Sequence, residues 1–234
     1  DTTNVLTSTN GTYYPDADIA VFQNKVVLNN KDFDLYSDTL KYETIGKIAY
    51  ILGPSDIIQD STRIYSEYGW YNTIKENAKL LNNSHIRDLE GRRLSADTLY
   101  YNQKTGEAEG FTNVALRDSA QSLLLNGGYG IYNEKTNKGF VVDSATVINF
   151  ADADSMFITS DTIFYDSSEE GETHLKAYYN VQSWHTDVQS LCDSLYYNSK
   201  DSTAQMFGAP IIWNENNQIT GESIKMYIKN KNVD

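Results

Sequence analysis

The sequence is poor in cysteine, proline and positive charge, and these shortages exclude several classes of protein. One cysteine among 234 residues excludes an intramolecular disulfide and an all-cysteine metal cluster. Lysine and arginine number 19 against 32 aspartates and glutamates, giving a net charge of −13. This balance argues against binding to nucleic acid, because neutralising phosphates needs clustered cations. No stretch approaches the roughly 18 uncharged apolar residues that would span a bilayer.

Tyrosine, by contrast, is abundant, with 18 copies against three prolines. Tyrosine favours pleated, half-buried surfaces, and an apolar content of 40% is enough for a sizeable core, so we expect an all-β chain. No linker rich in Pro, Gly or Ser divides the sequence, which predicts a single domain over residues 1–234. The chain opens at Asp1 without a charged or apolar leader, so we expect that a signal peptide has been removed or that the sequence belongs to a longer protein.

A five-residue pattern recurs along the chain: an acid, a hydroxyl residue, Leu or Ile, a variable residue and Tyr. The clear copies are Asp38–Tyr42, Asp97–Tyr101, Asp161–Tyr165 and Asp193–Tyr197. Looser copies begin at Ser61, Gly128 and Glu222, and the mean spacing of all seven is about 31 residues. Such a period indicates stacked copies of one supersecondary unit.

Each unit is predicted to be a hairpin of two strands. Turn-forming residues follow the Tyr at 102–106, 133–137 and 198–202, and an extended run resumes after each. Seven such units give about fourteen antiparallel strands, with open edges at the ends if the sheet does not close. Residues 74–81 have helical propensity, but their alignment with the repeat favours a strand.

Period-2 alternation places the Leu/Ile and Tyr positions on one face of each strand, which we expect to be the inner face. These candidate lining residues are Leu40, Tyr42, Leu99, Tyr101, Ile163, Tyr165, Leu195 and Tyr197. Cys192 occupies a position that is Ser or Ala in the other clear copies, which indicates a small packing residue. The repeated Asp is expected to satisfy backbone donors where each strand begins, since a catalytic acid would be singular.

The segments Ser95–Asn102, Thr105–Gly110 and Asn113–Asp118 carry a resemblance to the OstA-like family of lipopolysaccharide-transport proteins. The Asp-Ser/Thr-Leu-Tyr-Tyr form is similar to the Bacteroidetes-type branch of that family. The resemblance implies an LptA-like β-jellyroll in the periplasm, with an apolar groove that holds the acyl chains of lipopolysaccharide or another acylated lipid. It also implies end-to-end assembly with other OstA-like domains by edge-strand pairing. With a net charge of −13, the sequence offers no obvious basic rim for the phosphates of lipid A. This departure from the family argues against head-group binding more than against acyl-chain binding.

Other functions have weaker support in the sequence. The three histidines show no metal-binding spacing and no nucleophile motif is present, so we expect neither an enzyme nor a cofactor or metal site. A structural or carbohydrate-binding β-repeat module of the cell envelope is the alternative. It would use outward aromatic residues, with Tyr100, Phe164, Tyr196, Trp184 and Trp213 as candidates.

Overall fold

Antiparallel β-strands make up nearly all of the regular structure. The computed structural model describes residues 4–59, 62–151, 155–168, 172–229 and 232–233. Within these ranges it contains 21 β-strands and one short 3-10 helix, Pro15–Ala17. None of the described residues forms a helix of the length and hydropathy needed to cross a membrane. The predicted all-β class is confirmed. Of residues 74–81, predicted as strand, 77–81 lie in the strand Asn77–Arg87, whereas 74–76 lie in the turn before it.

The chain divides into two compact units, residues 1–112 and 113–234. The first contains β1 (Asn4–Thr7), β2 (Asn10–Tyr14), β3 (Ile19–Asn30), β4 (Asp34–Glu43), β5 (Ile48–Ile51), β6 (Ser55–Gln59), β7 (Thr62–Ser66), β8 (Tyr68–Asn72), β9 (Asn77–Arg87) and β10 (Arg92–Asn102). The division falls inside β11 (Glu107–Asp118). The second unit continues with β12 (Leu123–Asn133), β13 (Lys138–Asn149), β14 (Met156–Asp166), β15 (His174–Trp184), β16 (Val188–Asn198), β17 (Thr203–Phe207), β18 (Ile211–Asn214), β19 (Asn217–Thr220), β20 (Ser223–Lys229) and β21 (Asn232–Val233). The single domain stays a prediction.

The strand count exceeds the predicted fourteen because five hairpin arms are each broken into two short strands. β4 pairs with both β5 and β6, β9 with both β7 and β8, and β16 with both β17 and β18. β1 with β2, and β19 with β20, form two further broken arms. Counted as whole arms, the strands come close to the expected number.

Asparagine side chains close the hairpin turns. Asn133 Oδ1 accepts hydrogen bonds from the backbone N–H of Lys135 and Thr136, at 3.0 and 3.1 Å. Asn72, Asn102 and Asn198 accept equivalent bonds in their own turns. Asparagine favours turns through this self-bonding. The turns predicted at 102–106, 133–137 and 198–202 are confirmed.

Alternate strands carry a kink made of two consecutive residues in the left-handed region. The kinked pairs are Asn24-Lys25, Asn82-Asn83, Thr112-Asn113, Asp143-Ser144 and Tyr179-Asn180, all with φ between 48° and 64°. The residue after each pair is buried: Val26, Ser84, Val114, Ala145 and Val181. Two residues opposite one define a β-bulge, which bends the strand.

The repeated aspartates lie opposite these kinks. Asp38, Asp97 and Asp193 fall in the register gaps opposite Asn24-Lys25, Asn82-Asn83 and Tyr179-Asn180. They are exposed and stand in the middle of their strands, so the prediction that they begin each strand is wrong. The position needs a polar residue that faces water beside a bulge, which Asp satisfies. Ser61, the start of one looser copy, lies outside the described residues.

Candidate functional site

The predicted Leu/Ile positions form the buried centre of each unit. Leu40 and Leu99 in the first unit, and Ile163 in the second, have no exposed surface, and Leu195 is 2% exposed. In the second unit one continuous cross-strand row runs through Val141, Ile163, Ala177, Leu195, Met206 and Ile224. The inward orientation of these residues is confirmed, while a role in binding lipid stays a prediction.

The predicted Tyr positions form a second inward row, in which large and small residues largely alternate. In the first unit the row is Ala20, Tyr42, Ala49, Tyr71, Ala78 and Tyr101. In the second it is Tyr132, Gly139, Tyr165, Leu175, Tyr197, Ala204 and Met226. Tyr101 and Tyr165 are buried, whereas Tyr42 and Tyr197 are half-buried. The small residues make room for rings on neighbouring strands; a Cβ on Gly139 would lie 3.3 Å from Cδ2 of the Tyr132 ring.

Several of the inward phenols are anchored at their hydroxyl groups. Tyr165 donates to Asp118 Oδ2 at 2.5 Å, and the Tyr71 hydroxyl is 3.0 Å from Gln103 Oε1. Burial raises the pKa of Tyr71 to about 12 and also raises the pKa of Tyr197, where the Asp201 charge adds to the effect. Tyr42 differs, because its buried hydroxyl has no hydrogen-bond partner among the described residues.

The outward aromatic candidates pack against separate neighbours. Tyr100 contacts Phe111 at a centroid distance of 5.8 Å, and Trp184 contacts Phe157 at 5.9 Å. Tyr196 stacks on His174, and Trp213 donates to Gln218 Oε1 at 3.1 Å. Phe164 belongs to a longer outward series of rings, with Tyr129, Phe140 and Tyr178. The sequence alone does not predict this series, because it depends on cross-strand register.

Cys192 is half-buried opposite Val181, and burial together with the Asp193 charge raises the pKa of its thiol to about 11. A thiol held neutral in this way suits the packing role predicted for it. Within the described ranges no three His, Cys, Asp or Glu residues are grouped to hold a metal ion.

Comparison with known proteins bears on the family resemblance. The family model described as OstA-like protein matches residues 1–38, from the amino terminus into β4. The resemblance to OstA-like proteins is confirmed. The match lies outside residues 95–118, whose motifs predicted the resemblance, and the Bacteroidetes-type branch stays a prediction.

The other two comparisons add little to the OstA-like match. Comparison with curated proteins gives no match. A similar solved structure is LptH from Pseudomonas aeruginosa, described as the LptA-homologous periplasmic component of the lipopolysaccharide transport device. It is 10% identical, covers 60% of this chain and 82% of its own, and superposes with a TM-score of 0.27. A score this low does not establish a common fold.

Proposed function

We propose that the chain is a non-catalytic periplasmic carrier or bridge for lipopolysaccharide or another acylated lipid, whose acyl chains contact the two inward rows. The observation that carries the proposal is the repetition of those rows: every clear copy places a Leu or Ile and a Tyr on the inner face. The OstA-like match supports the class of cargo.

The energetics favour such a carrier. Burying acyl chains is worth roughly 0.8 kcal/mol per CH₂, so a chain of about fourteen carbons costs on the order of 10 kcal/mol to move through water unshielded. An apolar interior offsets that cost. The buried hydroxyl of Tyr42, which lacks a partner among the described residues, adds support, because an unsatisfied buried group costs about 1–3 kcal/mol and a lipid ester or hydroxyl would relieve it.

Edge strands supply the proposed means of assembly. Among the described residues, β2 pairs only with β3 and β19 only with β18, so each leaves one side without a partner strand. Such edges accept a strand from another chain through backbone hydrogen bonds. We infer that these arms join OstA-like domains end to end.

A pair of substitutions on neighbouring residues tests the lipid-binding interior. Leu99→Asp places a carboxylate in the inward row, and Tyr100→Asp places the same group on the outer face. We expect Leu99→Asp to weaken binding of a fluorescent acylated lipid at least about tenfold, since a buried charge opposes apolar contact. Tyr100→Asp should bind as the unmodified protein does. Retained binding by a folded Leu99→Asp protein would contradict the proposal.

Photocrosslinking provides a second test that does not put a charge in the core. A benzophenone amino acid replaces Tyr42, which faces inward, or Lys41, which faces outward. Tyrosine and benzophenone side chains are both aromatic, so the inward replacement is mild. Crosslinks to lipopolysaccharide at position 42 and none at position 41 are expected. Crosslinks confined to position 41 would overturn the inward assignment.

A further inference from the structure

The outer face of the second unit carries a row of four aromatic rings. Tyr129, Phe140, Phe164 and Tyr178 lie on β12, β13, β14 and β15, with successive centroids 6.0, 5.7 and 5.9 Å apart. These side chains point away from the core, because Phe164 lies between inward Ile163 and Tyr165. Phe164 and Tyr178 keep 43% and 38% of their surface exposed. Their rings therefore offer flat apolar surface to solvent.

A depression of about 420 Å³ lies beside these two rings. This volume is within the range of small-molecule sites, roughly 300–1,000 Å³. Its charged and polar lining comes from Lys138, Asp166, His174 and Lys176, and its aromatic lining includes Phe164 and Tyr178. An aromatic platform flanked by hydrogen-bonding groups suits a sugar, whose C–H groups pack on a ring face while its hydroxyls bond around the edge.

The charges of the lining point to an acidic sugar. Partial burial of Asp166 would raise its pKa, but hydrogen bonds from Lys138 and Ser168 lower it to about 2, so this carboxylate is ionised and paired with Lys138 at 2.9 Å. Lys176 lies 5.8 Å from the centre of the Tyr196 ring and forms no ion pair with a described residue. The lining itself has two lysines against one carboxylate, in a chain of net charge −13.

We propose that this depression, which we term the aromatic platform (Phe164, Tyr178, Lys176 and Asp166), binds an oligosaccharide that carries carboxylate or phosphate groups. A sugar ring packs on Phe164 and Tyr178. Its anionic group meets Lys176, and Asp166 accepts a hydroxyl hydrogen bond. Gly139 and Tyr165 of the second inward row also line the depression, but the contacts proposed for the sugar use only the outward side chains.

Binding of defined probes to the full chain tests the platform. The acidic probes are oligogalacturonate and a phosphorylated mannan oligosaccharide, each compared by calorimetry with a neutral oligosaccharide of equal length. We expect saturable binding of at least one acidic probe, and binding at least about tenfold weaker for its neutral counterpart. Phe164→Ala and Lys176→Gln should each weaken binding about tenfold, since each removes one principal contact.

A matched control comes from the first unit, where Tyr100 is also an outward ring with a lysine, Lys79, above it at 5.2 Å. Tyr100→Ala should leave sugar binding unchanged, because no lining group of the depression is lost. Failure of both acidic probes to bind, or equal affinity in Phe164→Ala and the unmodified protein, would overturn the proposal. Uptake of a fluorescent acylated lipid should persist in all three variants, which separates this outcome from the test of the interior.

Discussion

The left-handed kink in β15 is the feature whose energetic weight is easiest to isolate. Asn180 has φ of 53°, and its Nδ2 donates to both carboxylate oxygens of Asp161 at 3.3 Å. We consider Asn180→Val, which puts a β-branched side chain at a left-handed position. Asparagine tolerates this region because its short polar side chain bonds locally, whereas valine does not.

The expected loss follows from two contributions. Left-handed backbone costs an ordinary L-residue roughly 1–2 kcal/mol, with β-branching at the upper end. The exposed hydrogen bond to the Asp161 carboxylate adds about 0.5 kcal/mol. The free energy of unfolding should therefore fall by about 2 kcal/mol, which corresponds to a decrease in Tm of about 4–8 °C for a chain of this size.

Two further variants serve as controls for the effect of Asn180→Val. Gln182→Val places the same residue at an exposed position of β15 outside the left-handed pair, so its effect should stay within about 0.5 kcal/mol. Asn180→Gly should also lose little, because glycine adopts positive φ without strain. Urea denaturation followed by tryptophan fluorescence, to which Trp184 in the same strand contributes, measures all three. Equal losses for Asn180→Val and Gln182→Val would refute the assignment of strain to the kink.

Two other predictions concern Asp166 and Gly208. The folded pKa of Asp166, about 2, lies below its ordinary value of 3.8, so the stability it contributes is present above about pH 4 and lost as pH falls toward 2. Urea titrations measure the difference in unfolding free energy between the unmodified protein and Asp166→Asn. We expect this difference to be below about 1 kcal/mol, because the pair is so exposed, and to shrink as the pH falls over that interval. A constant difference would contradict the pairing. Gly208→Ala should destabilise more than Gly91→Ala by at least about 1 kcal/mol in thermal unfolding. Both glycines have positive φ, 77° and 85°, but only at Gly208 would a new Cβ meet a neighbour, Asp193 Cβ at 2.4 Å, so equal losses would exclude a steric contribution.

The sequence predicts those features that depend on local chemistry. Asparagine at the start of each turn bonds its own backbone, so the turns at 102–106, 133–137 and 198–202 follow from residues close together in the chain. Burial of Leu99 and Ile163 follows from period-2 alternation. These features need no knowledge of which strands pair.

Features that depend on backbone geometry or register were less accessible. The kinks use Lys25 and Tyr179 as well as asparagine, and neither residue type signals positive φ. The sequence signal of the kinks is a recurrent Asn before a buried Val, as in Asn113-Val114 and Asn180-Val181. The division into two units leaves no linker, since it falls within a strand.

The sequence predicts one residue of the aromatic platform but not the grouping. Phe164 was a candidate for an outward sugar contact, but its grouping with Tyr178 and Lys176 depends on how β14 and β15 align. Tyr100 and Trp213, predicted on the same grounds, pack against other neighbours. The face on which a residue lies can be predicted from alternation, whereas its neighbours on adjacent strands cannot.

The repeated kinks also restrict how a chain of near-identical hairpins can align with itself. Sliding one strand by a residue would move its kink away from the aspartate gap in its partner and would turn the apolar row toward water. Both changes are unfavourable, so each strand is held to one register with its neighbour. Each pair of neighbouring strands, although similar in sequence to the other pairs, is in this way held to a single register.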